Sequence, residues 1–97
     1  MKLLVKIPTR STRGWEWLRG YIDKALSPDT RILLSLDTGQ PGPPVWATQS
    51  GRLIVEYGVS KNKVHAYNRD IDSHIDDFDI ILGASDDMYV QEVGYDE

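Results

Sequence analysis

An α/β fold, built on a three-layer, Rossmann-like parallel sheet, is what this sequence predicts, and three observations predict it. Apolar residues come in short continuous runs, such as Leu3-Leu4-Val5 and Ile32-Leu33-Leu34, and such runs belong to strands covered on both faces. Segments of helical spacing separate the runs. A chain of 97 residues, 40% hydrophobic and 27% charged, holds one core and no more.

Residues 2–8 read as the first strand, stopped by Pro8. The polar loop Thr9-Arg10-Ser11-Thr12-Arg13-Gly14 follows, with Ser11 or Thr12 as the helix cap. Residues 14–26 predict a helix: Trp15, Leu18, Ile22 and Ala25 recur at helical spacing, with Trp17 and Tyr21 near the same stripe. Ser27-Pro28 ends it. Residues 31–37 form a second strand closing on Asp37. Residues 38–51 hold Pro41, Pro43, Pro44 and three Gly, which predicts a long loop without regular structure. Residues 52–57 read as a third strand. Residues 60–70 form a second helix, capped by Ser60, with Val64, Tyr67 and Ile71 on its buried face. Residues 79–84 form a fourth strand leading into Ser85-Asp86-Asp87-Met88.

The whole reads as a single domain over residues 1–97, with an acidic tail at 89–97. Right-handed crossovers set the carboxyl ends of the strands on one edge. With strand 4 beside strand 1, the strand order is 3-2-1-4, and helices cover both faces. The order reverses between strands 1 and 4, and open α/β sheets bind ligands in that crevice, beyond the carboxyl ends of the strands. Pro8 to Arg13, Asp37 and the pair Asp86-Asp87 converge there.

The net charge of −4 hides a division. Residues 1–69 hold all 11 Lys and Arg against five acids, a balance of +6, while residues 70–97 hold ten acids and no Lys or Arg, a balance of −10. That asymmetry suits a basic loop for phosphates beside acids for a metal ion or partner, and equally a solvated acidic tail. The absence of Cys excludes a disulfide framework, a Cys-ligated zinc site and a Cys nucleophile. No run is long enough for a signal peptide or a membrane span, so the expected location is cytoplasmic. A pI near 5.0 without a broad basic stripe argues against nucleic acid as a partner.

Strand 1 is not followed by a Gly-rich phosphate loop, which excludes Walker and dinucleotide motifs. The acid pair follows strand 4 instead. Asp86 and Asp87 at a strand end supply one or two oxygens to Mg²⁺ or Mn²⁺, with water and diphosphate oxygens completing the shell.

Four stretches together resemble a family. Ile7-Pro8-Thr9-Arg10 is similar to the opening motif of GT-A fold nucleotide-diphospho-sugar glycosyltransferases, family-2-like. Asp37 matches the acid at the end of their second strand. Residues 58–68, Gly-Val-Ser-Lys-Asn-Lys-Val-His-Ala-Tyr-Asn, resemble their N-x-G-x-x-x-A-x-N stretch. Residues 78–88, Phe-Asp-Ile-Ile-Leu-Gly-Ala-Ser-Asp-Asp-Met, resemble the strand that carries the metal-binding Asp-x-Asp. The stretches occur in the family's order and span most of residues 3–88.

The resemblance implies that Pro8, Thr9, Arg10 and Asp37 contact the nucleotide, with Lys61 or Lys63 near the base or diphosphate. It implies that Asp87 ligates a divalent cation, Mg²⁺ or Mn²⁺, with Asp86 on ribose or metal. The cation would neutralise the leaving diphosphate as the sugar transfers. Ala84 stands where the usual motif has its first Asp. A complete domain of this kind runs to ~200 residues, so the acceptor half and the catalytic base are expected beyond Glu97. An edge at strand 4 then suits a homodimer. The alternative is a non-catalytic α/β module that binds a nucleotide or a protein; a nucleotidyltransferase would favour a Gly-rich basic loop after strand 1.

Trp15 and Trp17 read as helix packing, and Trp46 as a pin for its loop or a stacking surface for a base or sugar. His65 and His74 read as surface residues, and Asn62 and Asn68 as caps or helix-face polar groups. Arg10 and Arg13 suit phosphate as well as solvent.

Overall fold

The computed structural model describes residues 2–9, 14–85 and 93–96. Four strands, β1 (Leu3–Pro8), β2 (Arg31–Asp37), β3 (Leu53–Gly58) and β4 (Ile80–Gly83), form one parallel sheet in the order β3-β2-β1-β4. The expected order 3-2-1-4 is therefore the observed one. The helices are α1 (Glu16–Asp23), α2 (Val45–Thr48) and α3 (Lys63–Asn68), with a 3-10 turn at Ile75–Asp77.

The apolar runs have a direct cause. β1 and β2 occupy the middle of the sheet, where residues 3–7 and 32–36 are all buried. One face carries Leu3, Val5, Ile7, Ile32 and Leu34, and packs against Trp17, Leu18 and Tyr21 of α1 and Ala47 of α2. Each such large side chain contributes about 1.5–3 kcal/mol through burial. The aromatic residues form a ladder: Trp15 stacks on Trp17 at 6.2 Å, and Tyr21 meets Trp17 and Tyr95 edge-on at 6.1 and 6.0 Å. The opposite face carries Leu4, Lys6, Leu33 and Ser35 and lies under α3, whose Tyr67 ring packs against Gly83. β3 and β4 are the edges, and Ile80 and Leu82 stay half exposed.

Several expected boundaries move. α1 starts at Glu16 with Trp15 at the cap position and no side-chain cap; Ser11 and Thr12 lie outside the described residues. The Pro-rich loop contains the short helix α2, and Pro44 sits at its cap in an extended conformation, φ −69° and ψ 166°, where a missing N–H costs the helix no bond. Trp46 packs on the core under the guanidinium of Arg19, 3.9 Å from the ring centroid. In α3 the cap is Asn62, whose side-chain Oδ1 accepts from the His65 amide at 2.9 Å, and not Ser60. Val64, expected on the buried face, is 70% exposed.

The acidic end is not all solvated tail. Asp96 is buried, and its carboxylate accepts from the amides of Leu26 and Ser27 and from the Thr30 hydroxyl. Burial works against its charge, but these bonds outweigh it and hold the carboxyl below its ordinary value. The Tyr95 hydroxyl donates to the Tyr21 carbonyl at 2.5 Å. Burial, and next the charge of Asp96, push its ionisation up to about 12.

Candidate nucleotide site at the carboxyl edge of the sheet

The strand order reverses between β1 and β4, and open α/β sheets take ligands beyond the strand ends that flank such a reversal. Pro8 closes β1 half-buried, and the buried Thr9 turns toward β2, its amide donating to the Ser35 carbonyl at 3.1 Å. On the other side the Ala84 amide donates to the Lys6 carbonyl at 3.0 Å, and the Ser85 carbonyl accepts from the Tyr21 hydroxyl at 3.3 Å. Thr9 thus continues the β1–β2 pairing and Ala84 the β1–β4 pairing, both at the carboxyl ends of the strands, the place where open α/β sheets take ligands.

Asp37 ends β2 beside Gly58, which ends β3. The Thr38 amide donates to the Gly58 carbonyl at 2.9 Å, and the Gln40 amide folds back on the Asp37 carbonyl at 3.2 Å. Pro8, Thr9 and Asp37 therefore share one edge of the sheet. Lys61 lies exposed on the connection from β3 to α3, and its amide donates to Nδ1 of His65 at 2.9 Å. Lys63 opens α3; its side chain is outside the described set. Arg10, Asp86 and Asp87 also lie outside the described residues. Among the described residues, no group of three or more acids and histidines is placed to hold a metal ion, and no helix is long and apolar enough to cross a membrane.

Neither histidine is a bare surface group. His65 serves the α3 cap through both its amide and its ring, and His74 Nε2 lies 3.2 Å from Glu56 Oε1.

Behind the crevice lies a polar cluster that no motif announced. Lys6 is 1% exposed in the middle of β1. Its ammonium group donates to the Ser35 hydroxyl and, at 2.6 Å, to the Arg69 carbonyl. The Ser35 hydroxyl donates on to Asp70 at 2.8 Å, and Arg69 Nε donates to the same carboxylate oxygen at 3.1 Å. Arg69 Nη2 reaches the Leu36 carbonyl at 2.7 Å. Asp70 has φ +71°, a left-handed conformation that Asp tolerates better than most residues. Burial, the larger influence, outweighs the attraction of Asp70 and lowers the Lys6 ammonium from its ordinary 10.5 to about 8. The signal that could have found the cluster is a Lys within Leu-Leu-Val-Lys-Ile and a Ser within Leu-Leu-Ser-Leu. A polar residue in a strand buried on both faces must find partners.

At the opposite edge, Lys2, Asp29, Arg31, Asp77 and Phe78 line a shallow depression of mixed charge.

Comparison of the chain with protein-family models, with curated proteins and with solved structures finds no match.

Proposed function

We propose that this chain is the nucleotide-diphospho-sugar-binding half of a GT-A type glycosyltransferase. The observation that carries the reading is the sheet order β3-β2-β1-β4 together with the motif residues at the strand ends that flank its reversal. Pro8-Thr9 ends β1, Asp37 ends β2, and Ala84-Ser85 leads from β4 into the acid pair. Open α/β sheets take their ligands at this place.

In this reading Thr9 and Asp37 bind base and ribose, since Asp37 supplies a carboxylate acceptor for ribose hydroxyls. Lys61 lies on the connection that leaves the end of β3 and Lys63 opens α3 after it, while Arg10 follows Thr9 in the sequence; cationic side chains suit a diphosphate. Asp87 and Asp86 carry hard oxygen donors, the type that Mg²⁺ and Mn²⁺ require. A cation bound there supplies charge neutralisation for the leaving diphosphate.

Titration of UDP and GDP into the chain, with Mn²⁺ and with EDTA, tests the reading on the wild type and Asp87→Ala. Binding that needs both the cation and Asp87 is the expected result. A folded chain that binds neither nucleotide under either condition overturns it and leaves a non-catalytic α/β module.

A further inference from the structure

The unused feature with the most chemistry is the cluster of Lys6, Ser35, Arg69 and Asp70. A charged ammonium group inside a sheet is costly, and the fold brings three residues from two places in the sequence, Ser35 and Arg69-Asp70, around it. The bonds run outward to the carboxyl edge. Lys6 holds the Arg69 carbonyl and the Ser35 hydroxyl, Ser35 and Arg69 Nε hold Asp70, and Arg69 Nη2 holds the Leu36 carbonyl, next to Asp37. The Arg69 side chain is only 9% exposed and lies against Gly58, where an added Cβ would come within 3.1 Å of Nη1. Arg69 thus bridges the ends of β2 and β3, and Lys6 fixes the turn from which Arg69 extends.

We propose that Lys6 is a positioning residue, which clamps the Arg69–Asp70 turn and so sets the spacing of Asp37 and Gly58 at the nucleotide crevice. Its link to binding rests on the proposed nucleotide-binding function, whereas the clamp itself does not. The charged groups facing Lys6 are Asp70 and Arg69 after α3 and Glu56 on β3, the last held by His74. Tyr67 of α3 lies over Gly83, the register partner of Lys6 on β4. The ammonium group is held near pH 8 by its burial, so the clamp is strongest below that pH and weakens as the proton leaves.

Two measurements on the full chain test this, with Lys6→Met as the first variant and Ser35→Ala as the second should Lys6→Met not fold. The first is proton exchange at Arg69 Nε–H by NMR, with the β1–β2 amides as internal reference. Exchange at Arg69 is expected to quicken by about tenfold in Lys6→Met at about pH 7, with the reference amides unchanged. Unchanged exchange at Arg69 overturns the clamp. The second is UDP affinity with Mg²⁺ across roughly pH 7 to 9.5. Wild-type affinity is expected to fall about fivefold over that range, and Lys6→Met to bind about tenfold more weakly at the low end with a flat profile. Equal affinity and equal pH profile in the two proteins overturn the link to the crevice. Where only GDP binds, the same comparison is made with GDP; a wild type that binds neither UDP nor GDP at any pH defeats the nucleotide reading, and the NMR measurement then decides the clamp alone.

Discussion

Arg52 and Asp96 together hold the backbone of Ser27, one at its carbonyl and the other at its amide. The guanidinium of Arg52 donates to the Ser27 carbonyl at 2.6 Å, while the carboxylate of Asp96 accepts from the Ser27 amide at 2.8 Å. Arg52 also reaches the carbonyls of Thr30 and Ala25, and Asp96 takes the Leu26 amide and the Thr30 hydroxyl. The α1–β2 connection is thereby fixed by one residue before β3 and another at the end of the chain.

Asp96→Ala leaves two amides and a hydroxyl without their acceptor. Charge-assisted bonds of this kind make a cost of about 2–3 kcal/mol the expected outcome, read from urea unfolding. The folded carboxyl ionises below its unfolded value of 3.8. Its contribution is therefore complete above that value and is lost as the pH falls through the folded value. The gap between wild type and Asp96→Ala is expected to be flat near neutrality and to close in acid.

Arg52→Met removes donors from three carbonyls, at an expected cost of about 2 kcal/mol. Because both side chains hold the same turn, the double variant with Asp96→Ala is expected to lose less than the two singles together, by about 1 kcal/mol. Strict additivity in the double-mutant cycle would mean that the two grips act independently.

The buried lysine gives stability an alkaline signature. The unfolded chain titrates Lys6 at 10.5 and the folded one near 8, so between those values the unfolded state binds more protons. Stability therefore rises with pH across that window, and the gain is lost as the pH falls through about 8. Relative to Lys6→Met, wild-type stability is expected to climb by roughly 1–3 kcal/mol across the window in chemical denaturation.

Two glycines make a contrast that tests the packing around Arg69. At Gly58 a Cβ would lie 3.1 and 3.3 Å from the guanidinium of Arg69, which is tied to Leu36 and Asp70 and cannot yield freely. Gly58→Ala is expected to cost about 1–2 kcal/mol. At Gly42 the nearest atom, the Tyr57 hydroxyl, is closer still at 2.6 Å, but it is the far end of a half-exposed side chain that swings away. Gly42→Ala is expected to stay within about 0.5 kcal/mol of wild type. Thermal melts of the two variants rank the sites.

The expected strand order matches the structure because both central strands carry their burial in their composition. A run such as Ile32-Leu33-Leu34 is stable only with apolar cover above and below. The short helix after Pro44 was not legible, since proline stops a helix from within yet favours its start. Asn62, two residues after Ser60, is the cap of α3 because its side chain reaches the His65 amide, and Val64 faces out because the side that a short surface helix buries is chosen by packing and not by its own few residues. The carboxyl-edge placement of Pro8, Thr9 and Asp37 followed from strand direction alone.

By itself the sequence determined the class of fold, the parallel pairing and the edge at which Pro8, Thr9 and Asp37 meet, because those depend on patterns within each segment. Only the tertiary structure decided that Lys6 bonds to Ser35 and to the Arg69 carbonyl, 63 residues away, and that Asp96 closes a turn 69 residues before it. Such contacts carry no local period. They arise where buried polar groups must find partners, and which partner lies within reach is set by the packing of the whole chain.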